Sequence, residues 1–116
     1  MVYLYSGDTG PSANLELLAK GADVLLSEVV ELGGIRVALA RTVPDAVVEK
    51  MVAGQAKHHS TAEVVGTLAR RAAVKRVVLT HFVPIPETLR DPSVLVREVS
   101  VEFSGTVELA HDLGKY

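Results

Sequence analysis

Val24-Leu25-Leu26-Ser27-Glu28-Val29 is a continuous apolar run broken only by Ser27 and Glu28. A stretch of that length without polar alternation reads as a strand buried on both faces, the pattern of a parallel sheet covered by helices. Its flanks agree with this. Upstream, Val2 to Ser6 is a shorter strand-like segment that stops at Gly7-Asp8-Thr9-Gly10. Between the two, Pro11 and Ser12 open a helix with Leu15, Leu18 and Ala19 on its apolar face, Lys20 in the last turn and Gly21 as its stop. Downstream, Pro44 begins a second helix with Val47, Val48, Met51 and Val52 as its stripe, closing at Gly54. Ser60 and Glu63 form a capping box for a third, in which Val64, Val65, Leu68, Ala69 and Ala72 recur at helical spacing. Arg76 to Thr80 is a further strand that runs directly into His81, and Gly105 to His111 alternates as a final edge strand. Three prolines between Val83 and Ser93 mark a loop, and Asp91-Pro92 offers a cap for a last short helix. The stretch from Glu31 to Thr42, with Gly33-Gly34 and Val37 to Leu39, suits a hairpin or loop. Strand and helix thus alternate, which predicts an α/β fold with right-handed crossovers and a mainly parallel sheet with flanking helices.

The bulk properties fit one globular domain spanning residues 1–116. Apolar residues make up 48% of the chain and charged residues 22%, which excludes a disordered segment. With aromatics at 4% and no Trp, the core must be built from Val, Leu, Ile and Ala. Twelve Lys plus Arg against fourteen Asp plus Glu give a net charge of −2, which excludes a strongly basic nucleic-acid module. The absence of Cys removes disulfides, thiolate metal sites and a Cys nucleophile together, so any metal must use His, Asp or Glu. No apolar run is long enough to span a membrane, and MVYLYSGD lacks the character of a secretory signal, so the expected compartment is the cytoplasm.

Open parallel sheets bind ligands beyond the carboxyl ends of their strands. Asp8 follows the first strand, Glu28 lies near the end of the second, and His81 ends the third. His58 and His59 stand just before the third helix, whose start falls on that same rim. Groups suited to metal binding or proton transfer therefore converge there. Each also has a plainer reading. Asp8 in Gly-Asp-Thr-Gly is a natural turn residue, Glu28 can be half of a structural ion pair, His81 can be a packed side chain, and the His pair can decorate a helix entry. The basic run Arg70, Arg71, Lys75 and Arg76 reads as a solvated helix end complementing the dipole, with RNA contact as the alternative. Joint placement, more than any single residue, favours a site.

Taken together, Tyr5-Ser6-Gly7-Asp8-Thr9, Leu25-Leu26-Ser27-Glu28, His59-Ser60-Thr61 and Val77-Val78-Leu79-Thr80-His81-Phe82 resemble the metallo-β-lactamase-fold hydrolases. Their order is that of the branch holding ribonuclease Z and arylsulfatase-like enzymes, and Phe103-Ser104-Gly105 through His111-Asp112-Leu113 resembles that family's carboxyl end. The resemblance implies half of an αββα sandwich and a two-metal hydrolase, with Zn2+ as the expected ion. It casts Asp8 as the bridging ligand and His81 as a ligand of the second metal. It casts His59 as the residue that donates or orients a proton, with Glu28 as its partner. Ser27 stands where a His usually precedes that Glu, and Val83-Pro84 follows Phe82 in place of the usual Ser-Pro-Arg-Tyr. Both features point away from tRNA processing toward a less specific hydrolase of phosphodiesters or sulfate esters.

The family's His-x-His-x-Asp-His cluster does not occur in the sequence. The resemblance therefore implies a carboxyl-terminal half, with the amino-terminal half absent. A catalytic zinc needs about three protein ligands and an open position; Asp8 and His81 supply two, with His59 as a possible third. The expected full-length substrate is a small ester or RNA. Alternatively the chain is a non-catalytic half-domain that homodimerises or complements a partner half, because loss of one half bares a sheet face, expected to include Val2, Leu4, Leu25 and Val78. A nucleotide-binding loop is disfavoured, since Gly7-Asp8-Thr9-Gly10 lacks the Lys and the glycine spacing of phosphate-loop fingerprints.

Overall fold

In the computed structural model, which describes residues 1–84 and 91–116, the elements run β1 (Tyr3–Tyr5), α1 (Ala13–Ala19), β2 (Val24–Val30), α2 (Leu32–Leu39), α3 (Asp45–His58), α4 (Ala62–Arg71), β3 (Arg76–Val83), α5 (Ser93–Glu102) and β4 (Thr106–Leu109). The strands form one four-stranded sheet in the order β1-β2-β3-β4, with every pairing parallel. A sheet wound steadily in one direction places its crossover helices on one side. Leu4, Leu25, Val77 and Val107 pair across the strands, and with Leu79 and Leu109 they pack against Leu15 and Ala19 of α1, Val65, Leu68 and Ala69 of α4, and Leu95 and Val99 of α5. This is the main core. A smaller one joins Val30 and Val83, at the strand ends, to Ile35 of α2 and Val48 and Val52 of α3.

The opposite face carries Tyr3, Val24, Arg76 and Thr106 in one row and Tyr5, Leu26, Val78 and Glu108 in the next. Tyr3 and Tyr5 are 54% and 61% exposed. The exposed part of that face is thus not the expected set: Leu4 and Leu25 face the helices, Val2 lies outside β1, and Val78, although on this face, is buried. Side chains alternate along a strand, so only residues in step with Val78 can share its face.

Several local expectations shift. The 31–42 stretch is helix α2 despite its glycine pair, because the Glu31 side chain accepts from both Gly33 N–H (3.0 Å) and Gly34 N–H. A carboxylate on those free donors offsets the low helix propensity of glycine. Helix α3 does not close at Gly54 but continues to His58. Leu18 of α1 is 71% exposed, leaving Leu15 and Ala19 to face the core. The cap of α4 is Thr61, whose hydroxyl accepts Val64 N–H at 3.3 Å, rather than Ser60. Asp91 accepts Ser93 N–H ahead of α5, and β4 is the parallel edge strand. Most of the proline-marked loop lies outside the described residues.

Candidate metal centre

Asp8 sits in the loop after β1. Gly7, at φ +60°, turns the chain out of the strand in a conformation that suits a residue without Cβ. The loop then lies against the end of α3 so closely that a Cβ on Gly10 would collide with the Lys57 carbonyl oxygen. Its position is held further by the Ser60 hydroxyl, which donates to the Thr9 carbonyl at 2.9 Å.

Glu28 is fully buried on β2, facing the side opposite the helical core. Both carboxylate oxygens are engaged: Oε1 accepts Ser60 N–H at 2.6 Å, and Oε2 lies 3.1 Å from His59 Nδ1. A buried carboxylate persists when its lone pairs are met in this way. The Glu28 amide donates in turn to the Ser6 hydroxyl at 3.2 Å, tying β2 to the end of β1. Residues 59–61 continue alongside β2, with Thr61 bridged to Val30 and Val30 N–H donating to the Ser60 carbonyl.

His81 comes from β3 by a different device. Glu28 pairs with Thr80 but Val29 with Phe82, so His81 is the extra residue of a bulge, with φ +46°. Bulges re-aim side chains, and here the imidazole projects so that Nδ1 lies 2.5 Å from Asp8 Oδ1. That pair is about half exposed, at 49% and 55%, whereas His59 is largely covered.

The structure therefore brings Asp8, Glu28, His59 and His81 to one rim. One ligand atom each from Asp8, Glu28 and His59 lies within 4.8 Å of the others. Carboxylate oxygen with imidazole nitrogen is a donor set suited to zinc and similar divalent ions. Glu28 is already bonded to His59 and Ser60, while Asp8 meets His81 directly. Asp8 and His81 fit a metal and would leave coordination positions to be filled from elsewhere. His58 is exposed at the end of α3. A groove of about 500 Å3 between α1 and α4, lined by Pro11, Glu16, Glu63, Thr67 and Arg71 among others, contains none of the four.

The basic run does not form a free patch. Arg70 pairs with Glu102, Arg71 with Glu16, Lys75 with Asp23 and Arg76 with Glu108. Lys75 and the Val2 amide hold the Asp23 carboxyl below its usual range. Ser60 and Ser6 are the site participants that sequence reasoning missed. Ser60 was masked by the adjacent Thr61, since either hydroxyl can cap a helix.

No family model matches the chain. Ribonuclease Z of Myxococcus xanthus is 36% identical over 107 residues, covering 92% of this chain and 29% of its own length. Ribonuclease Z of Pseudomonas putida is 35% identical over 95% of this chain and 31% of its own. A putative ribonuclease Z of Mycobacterium tuberculosis is 33% identical over 93% of the chain and 44% of its own. The chain thus spans less than half the length of these relatives. Among solved structures, the metallo-beta-lactamase fold protein YhfI from Bacillus subtilis superposes with a TM-score of 0.65 at 22% identity, over 93% of this chain and 36% of that one. This structural match and the all-parallel four-stranded sheet give the chain the metallo-β-lactamase fold, and over nearly all of its 116 residues its sequence is similar to part of ribonuclease Z.

Proposed function

We propose that the chain is the carboxyl-terminal part of a metal-dependent phosphodiester hydrolase acting on RNA in the cytoplasm. The observation that carries this is the meeting of Asp8 and His81 beside the His59–Glu28 pair, in a chain similar to ribonuclease Z. Asp8 and His81 would hold metal, zinc being the ion best suited to the donors, with the remaining ligands supplied by a His-x-His-x-Asp-His region outside this sequence. Bound there, the metal supplies water activated at neutral pH and polarises a phosphoryl oxygen. The chain's own contribution is proton handling. Glu28, fully buried, accepts from Nδ1–H and so orients the imidazole, leaving Nε2 to hold or donate a proton at the departing oxygen. Burial of Glu28 keeps that dyad out of competition with water.

Hydrolysis of bis(p-nitrophenyl) phosphate is the test, with an aryl sulfate as the comparison substrate. Turnover by the chain alone should stay at background and rise when a region bearing the His cluster is supplied. In that assembly, chelation and Asp8→Ala or His81→Ala should abolish it, and His59→Ala should lower it by about 10²–10⁴-fold. Chelator-resistant turnover would overturn the assignment, and preference for the aryl sulfate would redirect it to sulfate esters. The exposed Tyr3 and Tyr5 favour a second reading, in which the chain is a non-catalytic half-domain that dimerises across its open sheet face. Tight self-association with no metal affinity would support that reading over the first.

A further inference from the structure

We infer that Ser60 is a positioning residue that fixes the Asp8 carboxylate relative to the His59 imidazole, an inference resting on the metal-site reading above. Three observations carry it. Ser60 is only 4% exposed, although a Ser at a helix entry usually keeps its hydroxyl at the helix end. Thr61 performs the capping instead, so the Ser60 hydroxyl is directed away from α4 and donates to the Thr9 carbonyl, one residue after Asp8. The same residue's N–H donates to Glu28 Oε1, whose other oxygen meets His59. Among the described residues, Ser60 is thus the one bonded both to the loop that carries Asp8 and to the carboxylate that orients His59. Contact between Gly10 and the Lys57 carbonyl seats the same loop on the same segment without using the hydroxyl. A donor that holds ligand-bearing elements in register is worth about 10–100-fold in metal affinity when removed.

The test is titration of the chain with Co2+ alone, read by its visible absorption, alongside thermal melts. Ser60→Ala should weaken binding by about tenfold or more and alter the band shape, because ligand placement changes. Ser60→Thr, which keeps the hydroxyl, should restore most of the affinity. Thr61→Ala removes the cap and should lower the melting temperature while leaving Co2+ affinity close to that of the unmodified chain. Gly10→Ala lifts the loop by collision and should reproduce the Ser60→Ala spectrum; it serves as the second variant if threonine does not fit the buried site. Ser60→Ala binding Co2+ as the unmodified chain does, or losing no more than Thr61→Ala, would overturn the role of Ser60 alone. Absence of Co2+ binding by the unmodified chain, or binding undiminished in Asp8→Ala, would overturn the underlying metal site.

Discussion

Glu28 and His81 show two ways in which a single residue is committed to a site. Glu28 has no solvent exposure and spends both oxygens on Ser60 and His59. In Glu28→Gln the amide oxygen can still take the Ser60 N–H, but an NH2 then faces Nδ1, which must accept. The expected outcome is a His59 proton moved to Nε2, read from imidazole 15N shifts, with a stability loss of about 1 kcal/mol. His81 holds a left-handed conformation that a residue with Cβ adopts at a cost of about 1–2 kcal/mol. His81→Gly should therefore raise thermal stability by about 1 kcal/mol while removing a proposed metal donor, a result checked by denaturant unfolding together with Co2+ titration. That Asp8, Glu28, His59 and His81 gather on one rim was readable from sequence, since each lies at the end of an apolar run or the start of a capped helix. The bulge that aims His81 was not, because register slips leave no trace in a strand's composition.

At the scale of elements, two glycines in helices separate propensity from packing. Gly54 lies within α3 with nothing inside 4 Å of the place a Cβ would occupy, whereas at Gly66 of α4 that atom would meet the Val99 carbonyl of α5 at 2.5 Å. Gly54→Ala should stabilise the chain by about 0.5–1 kcal/mol through helix propensity alone. Gly66→Ala gains the same term and loses more by forcing α4 and α5 apart, so urea unfolding should give opposite signs for the two. The same pair explains what could be read in advance. Gly54 looks like a helix stop, yet α3 runs on to His58, where the Lys57 carbonyl lies against the loop at Gly10. Helix α2 was hidden for a related reason: its stabilisation comes from one Glu31 side chain bonding two glycine amides, a contact that exists only once the turn has formed. The strands and α4 were legible because their apolar periodicity is the cause of their burial.

For the whole molecule, the decisive property is the difference between the two sheet faces. Helices α1, α4 and α5 bury the first, while the second exposes Tyr3 and Tyr5 at its β1 edge beside half-buried Leu26 and buried Val24 and Val78. Surfaces of that kind are interaction sites or association liabilities. Tyr3→Lys with Tyr5→Lys should reduce self-association in sedimentation and dye binding to the exposed tyrosines, and should also block complementation by the proposed region bearing a His cluster. Which face stays open was beyond sequence reading, because a run apolar at every position, such as 24–26, does not say which side meets the helices. The way the rim is stitched has a further consequence. Its hydrogen bonds join residues 22, 31, 32 and 51 positions apart, and His81 must reach back to Asp8 across the first two crossovers. Contacts of such separation carry the largest loop-closure entropy and form after local helices and neighbouring strand pairs. The carboxylate–imidazole cluster is therefore among the last features to arise as the chain folds, and a partly folded chain with native helix content lacks the proposed metal site.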